Sequence, residues 1–270
     1  MDGRTHHAVA VATYEDLQGK LDGTPLGHAM GYLQPEEWQL YTVIPDRVDG
    51  DNVVSGYFHS HKFAFDAAGQ QPVTITVDGQ QRPKYLKGSA HPIILSYYVN
   101  IRNRHREGDE LEVRQLAARA SHYIIDGMTT IWHLWQGKLS DSMHQKEEHA
   151  LGGEIKDLLT RTAAAKPGTF SQGNMFREIA RRTETFFDAW LPKAVAAAQG
   201  GTTIAGSSDA VRMIQDVKDN LASIWLFIAE HMGEDDTKAG VAKRLNLPPS
   251  GPVPETALDA MTAEERALFL

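Results

Sequence analysis

The chain has 270 residues, 41% of them hydrophobic and 23% charged, which is the composition of a globular protein able to bury a core without disulfides. Its formal net charge of −8 argues against a nucleic-acid partner, and no apolar run approaches the roughly 18 residues of a membrane span. The N-terminus has no pattern of an export signal, so we expect a cytoplasmic location unless a leader has been removed.

The predicted elements are helices with one β excursion. Thr5 can cap a first helix over residues 6–21, and Pro35 begins a short helix that Pro45 ends. The alternating run VTITVDGQQRPKYL, with its Asp-Gly pair, predicts a β-hairpin near 73–86. Apolar residues at helical spacing predict five further helices, over 90–105, 108–136, 142–164, 173–198 and 207–232.

The fold class that these elements predict is all-α. No internal repeat and no shift in composition divides the chain, so we expect one mainly helical domain over residues 1–250. Residues 251–270 are predicted to form a tail with a short helix.

Histidines and carboxylates form the most informative pattern. Cysteine is absent and histidine occurs twelve times, so any transition metal here must be held by imidazoles and carboxylates. The stretch ASHYIIDGMTTIWHLW places His122, Asp126 and His133 on an apolar helix. At about 100° per residue, Asp126 lies about 40° and His133 about 20° from His122, so the three share a face. Because burying uncompensated polar groups is costly, metal coordination is a ready explanation.

The distance along this helix limits which of its residues could bind the same metal ion. On a straight helix His122 and His133 are roughly 16 Å apart, which is too far for one metal ion. Gly127 offers a place to bend, and an intact site predicts a bend or break there.

A second pair follows in the next predicted helix. His144 and Glu148 are four residues apart, the usual spacing for two ligands from one helical turn. Taken singly, a His-x3-carboxylate pair is more often a hydrogen-bonded pair or a solvated face than a metal site. Two such pairs in adjacent helices, with His133 between them, favour a metal site.

Taken in order, these residues resemble the zinc-dependent phospholipase C family, which is related to zinc single-strand nucleases. The family pattern is an early Ser/Thr-His, a loop Asp, an SHF-x-D-type His, His-x3-Asp, a His and His-x3-Glu. In this chain the pattern reads Thr5-His6, Asp46 in IPD, His61 in SHKFAFDAAG, His122 and Asp126 in SHYIID, His133 in IWH, and His144 with Glu148 in HQKEE. The resemblance covers about residues 5 to 150, and the final Glu is similar to the phospholipase branch.

The resemblance implies a phosphoesterase with at least two zinc ions. One zinc would take Asp46, His61, His122 and Asp126. A second would take His133, His144 and Glu148. A third, in family members that have it, would share Asp126 and use His6 with the N-terminal amino group.

The implied reaction is hydrolysis of a phosphodiester or phosphomonoester by metal-activated water, with Asp46 as the catalytic base. The expected partner is a phosphate-ester small molecule or a lipid headgroup. The chain departs from the family pattern in three places: it begins MDGR where the family has Trp, the gap from Asp126 to His133 is one residue longer, and the usual Pro before that His is missing. His59 is an alternative to His61, and His7 to His6.

Three other functions compete with this interpretation. An HD-type phosphohydrolase is the least favoured, because the chain has no adjacent His-Asp dipeptide. A carboxylate-rich helical site could hold two irons as an oxidase, although that class uses Glu-x-x-His pairs, which neither pair here matches. The fold could also be a catalytically altered helical binding module, as the changed spacing before His133 allows.

Overall fold

The structure is a computed structural model. It describes residues 3–48, 61–63, 74–77, 80–83, 85–88, 90–129, 138–169, 175–233 and 255–259, together with residues 242, 245, 247, 253, 261 and 266.

Helices dominate the described residues, which confirms the all-α fold class. Their bounds are α1 Gly3–Leu21, α2 Pro25–Gly31, α3 Pro35–Val48, α4 Ala90–Arg106, α5 Glu110–Thr129, α6 Lys138–Thr160, α7 Met175–Gln199, α8 Ala210–His231 and α9 Glu255–Asp259. Among the described helices, none combines the length and apolar character that a membrane crossing requires.

Two helix predictions were wrong in detail. The short helix α2 was not predicted, although Thr24 caps it by accepting a 3.0 Å hydrogen bond from the Gly27 amide, and Pro25 occupies its first turn. Pro45 does not end α3, which continues to Val48. A proline removes only one intrahelical hydrogen bond, and near a helix end that loss is tolerated.

The described residues exclude a break at Gly127 itself, whereas the bend stays a prediction. Helix α5 continues through Gly127 to Thr129, and residues 130–137 lie outside the described part of the chain. The glycine alone therefore does not break this helix.

The β excursion lies between α3 and α4. Strands β2 (Thr74–Val77) and β3 (Gln80–Pro83) pair antiparallel with Val77 opposite Gln80, which confirms the hairpin that the Asp-Gly pair predicted. Strands β1 (His61–Phe63) and β4 (Tyr85–Gly88) also pair antiparallel and enclose that hairpin in the sequence. We call residues 61–88 the β arm.

Helix α5 is central to the helical packing. It contacts α1, α2, α3, α4, α7 and α8, and its middle is fully buried, including Ala117, Ala118 and Ile124. Because Ala117 and Ala118 are small, neighbouring helices can approach the middle of α5 closely.

Contacts across α5 establish the direction of its neighbours. Helix α3 runs parallel to α5, because Glu37 pairs with Arg114 and the Thr42 carbonyl pairs with His122 further along both helices. Helix α4 runs antiparallel to α5, because residues 107–109 join them and the rings of Tyr97 and Tyr123 lie 5.4 Å apart. The C-terminal parts of α3 and α5 and the start of α4 therefore meet at one end of the helical body.

Candidate metal centre

Three of the predicted ligands meet at this end of the body. His6 from α1 approaches Asp126 of α5, with 3.2 Å between Nε2 and Oδ1, and His122 Nε2 lies 3.3 Å from Asp126 Oδ2. One ligand atom from each residue lies within 4.8 Å of the others. The side chains of both histidines are 0% exposed and that of Asp126 is 1% exposed. Among the described residues, this is the only such cluster of three.

The backbone of α3 sets the orientation of His122. Its Nδ1–H donates a hydrogen bond of 2.8 Å to the carbonyl oxygen of Thr42. Because a carbonyl only accepts, Nδ1 must carry the proton, and in the neutral ring Nε2 then presents a lone pair toward Asp126. A protonated Nδ1 held by a carbonyl is the arrangement that orients metal-binding histidines.

His6 lies against His122 in the same buried space. The two imidazoles stack with 3.9 Å between ring centroids and 22° between ring planes. Desolvation by burial and, to a smaller extent, the neighbouring His122 lower the pKa of His6, Asp126 acts in the opposite direction, and the net result is a pKa of about 4. His6 is therefore neutral at pH 7.

Neither nitrogen of His6 has a hydrogen-bond partner within the described part of the chain. The 3.2 Å approach of Nε2 to Asp126 brings the two atoms together without the geometry of a hydrogen bond. An unsatisfied buried imidazole is costly, and a cation between Nε2 and the carboxylate would remove that cost.

Asp126 approaches the two stacked histidines with different oxygen atoms. Oδ1 faces His6 and Oδ2 faces His122. A carboxylate that directs each oxygen to a different imidazole can bind one ion on each oxygen or hold a single ion between three ligands. Two imidazoles and one carboxylate are a donor set for zinc with an open fourth position, and also for non-haem iron.

The predicted ligand Asp46 lies in α3, and its side chain is outside the described residues. Its backbone position is informative, because α3 and α5 are parallel and Thr42 is level with His122. One helical turn further, Asp46 is level with Asp126. The helix positions thus agree with a shared site.

His61 is described only by its backbone, which begins strand β1 and pairs with Gly88. Gly88 is two residues from Ala90, where α4 begins. The contact between the rings of Tyr97 and Tyr123 places these two residues at the same level of α4 and α5. At a rise of about 1.5 Å per residue, Ala90 then lies about 6 Å further than Asp126 toward this end of the helical body. The base of the β arm is therefore attached at the end of the body that carries the cluster.

Two further predicted ligands, His144 and Glu148, are described and are not part of the cluster. His144 Nε2 lies 2.8 Å from Glu148 Oε1, and these side chains are 33% and 22% exposed. The two pair with each other on α6, without a third described ligand beside them. His133 and His59 lie outside the described residues. Of the two early histidines, His6 rather than His7 contacts Asp126.

Two residues that matter locally were not predicted. Thr42 acts through its backbone carbonyl, so no side-chain pattern could reveal it. Glu147 is 2% exposed and accepts hydrogen bonds from the amides of Ile204 and Ala205, at 3.0 and 2.8 Å. Glu147 was not predicted because it stands next to Glu148 and its own spacing matched no ligand pattern.

Comparison of the chain with models of protein families, with curated proteins and with solved structures finds no match. The residues and their geometry are therefore the basis for the functional proposal.

Proposed function

We propose that this chain is a metal-dependent phosphoesterase, similar to the zinc phospholipases C, that hydrolyses a phosphodiester or phosphomonoester. The observation that carries the proposal is the buried cluster of His6, His122 and Asp126. The cluster joins two separate parts of the pattern that the resemblance implies, the early His and the His-x3-Asp pair.

The residues of the cluster fit a metal ion. His6 has no hydrogen-bond partner for either ring nitrogen among the described residues, and His122 directs Nε2 toward the carboxylate. When bound, zinc would lower the pKa of a coordinated water to about 7 and stabilise negative charge on phosphate oxygens.

The geometry of Asp126 favours a carboxylate shared by two ions. Each of its oxygens faces a different histidine, as the resemblance implies for a residue common to the first and third zinc. Asp46 is level with Asp126 on the parallel helix α3, and the strand of His61 is attached at the same end. Both residues therefore remain candidates for the first zinc.

The protein's own residues have distinct roles in this proposal. Thr42 holds the His122 ring through Nδ1, so the ring cannot rotate without losing a buried hydrogen bond. Burial of His6 and His122 excludes bulk water from the imidazole faces, which strengthens electrostatic interactions at the centre. Asp46 is proposed as the base that takes the proton from the attacking water.

His144 and Glu148 are proposed as ligands of a separate zinc with His133. The 2.8 Å hydrogen bond between His144 Nε2 and Glu148 Oε1 supports this proposal, because it brings the two side chains together on α6. Partial exposure of both side chains leaves this pair accessible to solvent.

Metal analysis and a hydrolysis panel test the proposed function. Purified protein is analysed for zinc and iron by plasma mass spectrometry, then assayed on p-nitrophenyl phosphate, bis-p-nitrophenyl phosphate, phosphatidylcholine and single-stranded oligonucleotides. We expect two or three zinc ions per chain and hydrolysis that is lost on chelation and restored by zinc.

Two other outcomes of the metal analysis would favour the alternative functions. Iron with an optical band would favour oxygen chemistry, for which the donor set of two histidines and one carboxylate is also suited. Protein that binds no metal would favour a helical binding module and contradict the phosphoesterase.

A further inference from the structure

The first turn of α1 packs against α3 at a glycine. Helix α1 begins at Gly3, and a Cβ added at this residue would lie 2.9 Å from both Cγ1 and Cγ2 of Val43. Contacts between carbon atoms are favourable at about 3.5–4.0 Å, so a side chain at this position would overlap with Val43. Rotation of Val43 offers little relief, because a β-branched side chain in a helix has one strongly preferred rotamer. The close approach of the two helices therefore depends on the missing side chain of Gly3.

Gly3 lies on the side of α1 that carries His6. At about 100° and 1.5 Å per residue, the two positions are about 60° apart around the helix and about 4.5 Å apart along it. The same side continues with Ala10 and Leu17, which are buried in the core. The contact of Gly3 with Val43 therefore determines where the first turn, and with it the imidazole of His6, lies between the helices.

Two consecutive residues of α3 thus support the two imidazoles of the centre. The carbonyl oxygen of Thr42 accepts the hydrogen bond that orients His122. Val43 lies beside Gly3, one helical turn before His6. The two rings stack with 3.9 Å between their centroids, an arrangement that requires α1 and α5 to keep fixed positions relative to α3.

We propose that Gly3 is a positioning residue of the metal centre, because its missing side chain lets α1 lie close enough to α3 for His6 to reach Asp126. This inference deepens the proposed function and rests on its metal centre. Relief of the overlap between an added Cβ and Val43 would displace the first turn by about 0.6 Å. Distances from zinc to a histidine nitrogen are about 2.0–2.1 Å and vary by only about 0.2 Å. A displacement of that size would therefore weaken metal binding by His6.

The direct test compares Gly3→Ala with the double variant Gly3→Ala and Val43→Ala. The second substitution removes both Cγ atoms that the new Cβ would meet. Zinc affinity is measured on full-length protein by competition with a chromophoric chelator, and His6→Gln identifies the ion that His6 binds. We expect Gly3→Ala to weaken binding of this ion about tenfold and the double variant to bind it within about twofold of the unmodified protein.

Gly19→Ala is the matched control on the same helix. A Cβ at Gly19 meets nothing within 4 Å, so this substitution adds the same methyl group without displacing α1. We expect its zinc affinity to equal that of the unmodified protein. Val43→Ala alone should also retain zinc affinity, because Gly3 then keeps its close approach to α3.

The ring protons of His6 provide a second readout that requires no metal. In EDTA-treated protein, stacking on His122 shifts the His6 ring resonances upfield, and their loss in His6→Gln assigns them. Gly3→Ala should move these resonances toward those of a free histidine, and the added Val43→Ala should restore them. A merely structural defect would not be reversed by removing a second side chain from the contact between α1 and α3.

The outcomes separate this inference from the proposed function. Unchanged zinc affinity and unchanged His6 resonances in Gly3→Ala would overturn the role of Gly3 and leave the phosphoesterase intact. A loss that Val43→Ala does not reverse, or that Gly19→Ala shares, would also overturn it. Zinc binding that depends on Gly3 in a protein without hydrolysis would support the role of Gly3 and contradict the proposed function. If the unmodified protein binds no metal, the proposed function is contradicted, and reversal of the ring resonances by Val43→Ala would still support the positioning of His6 by Gly3.

Discussion

His122 donates its Nδ1–H to the carbonyl oxygen of Thr42 over 2.8 Å, and this one hydrogen bond decides which ring nitrogen faces Asp126. The acceptor belongs to the backbone of α3, so the orientation of the histidine depends on how α3 packs against α5. A neutral ring with its proton on Nδ1 would offer the Nε2 lone pair to the centre, which is the state a metal ion requires.

Asp126→Asn should greatly reduce metal binding. The substitution keeps the size of the side chain and removes the charge that His6 and His122 face in a buried position. We expect metal affinity to fall by a factor of about 100 or more, together with hydrolysis, as measured by metal analysis after dialysis. Asp157→Asn is the control, because Asp157 is 74% exposed on α6. Full zinc retention by Asp126→Asn would rule out this centre.

The metal-free protein should lose stability in mild acid because of His6. Burial lowers the pKa of His6 in the folded state from 6.5 to about 4. Between these values the unfolded chain binds more protons than the folded protein, so the free energy of unfolding falls as pH decreases through this window. The His6 contribution to the decrease should reach about 3 kcal/mol below pH 4.

Urea unfolding of EDTA-treated protein at pH 7, 5.5 and 4.5 measures this dependence. His6→Gln should flatten the pH dependence between pH 6.5 and 4, since a neutral side chain replaces the titrating one. An equal slope in the variant and the unmodified protein would show that other groups cause the acid sensitivity.

Gly27→Ala should destabilise the fold through a direct clash. A Cβ at Gly27 would lie 2.2 Å from the carbonyl oxygen of Leu21, so α1 and α2 would have to separate. We expect a loss of about 3 kcal/mol or more in the free energy of unfolding, measured by urea titration. Gly19→Ala is the matched control, since a Cβ there meets nothing within 4 Å, and it should stabilise α1 by about 0.5–1 kcal/mol.

Asp16→Asn should destabilise the protein because it leaves Lys218 without its carboxylate. Lys218 Nζ lies 2.7 Å from Asp16 Oδ2 with a side chain only 4% exposed, and it also donates to Thr162 Oγ1. Removing one partner of a buried pair costs about 3 kcal/mol. Thermal unfolding of this variant can be compared with that of Asp157→Asn, which removes an exposed pair with Arg161 and should change stability by less than about 0.5 kcal/mol.

The pattern of the sequence by itself predicted the helical class, the hairpin and one half of the candidate site. Apolar spacing identified α4 to α8, and the Asp-Gly pair identified the β2–β3 turn, because both signals act over a few residues. His122 and Asp126 could be paired from their spacing, since one helical turn brings them together. The end of α3 and the existence of α2 were missed, because a cap and a tolerated proline have weak local signals.

Tertiary packing brings His6 to Asp126, a contact that the family resemblance implied and no local pattern predicted, and it makes Thr42 hold His122. These contacts join α1 and α3 to α5 across long stretches of sequence, and no periodicity encodes which helices become neighbours. The sequence supplied the types of side chain that can bind a metal. The packing of three helices decided which of them share a buried space, where the cost of leaving imidazole and carboxylate uncompensated makes a cation favourable.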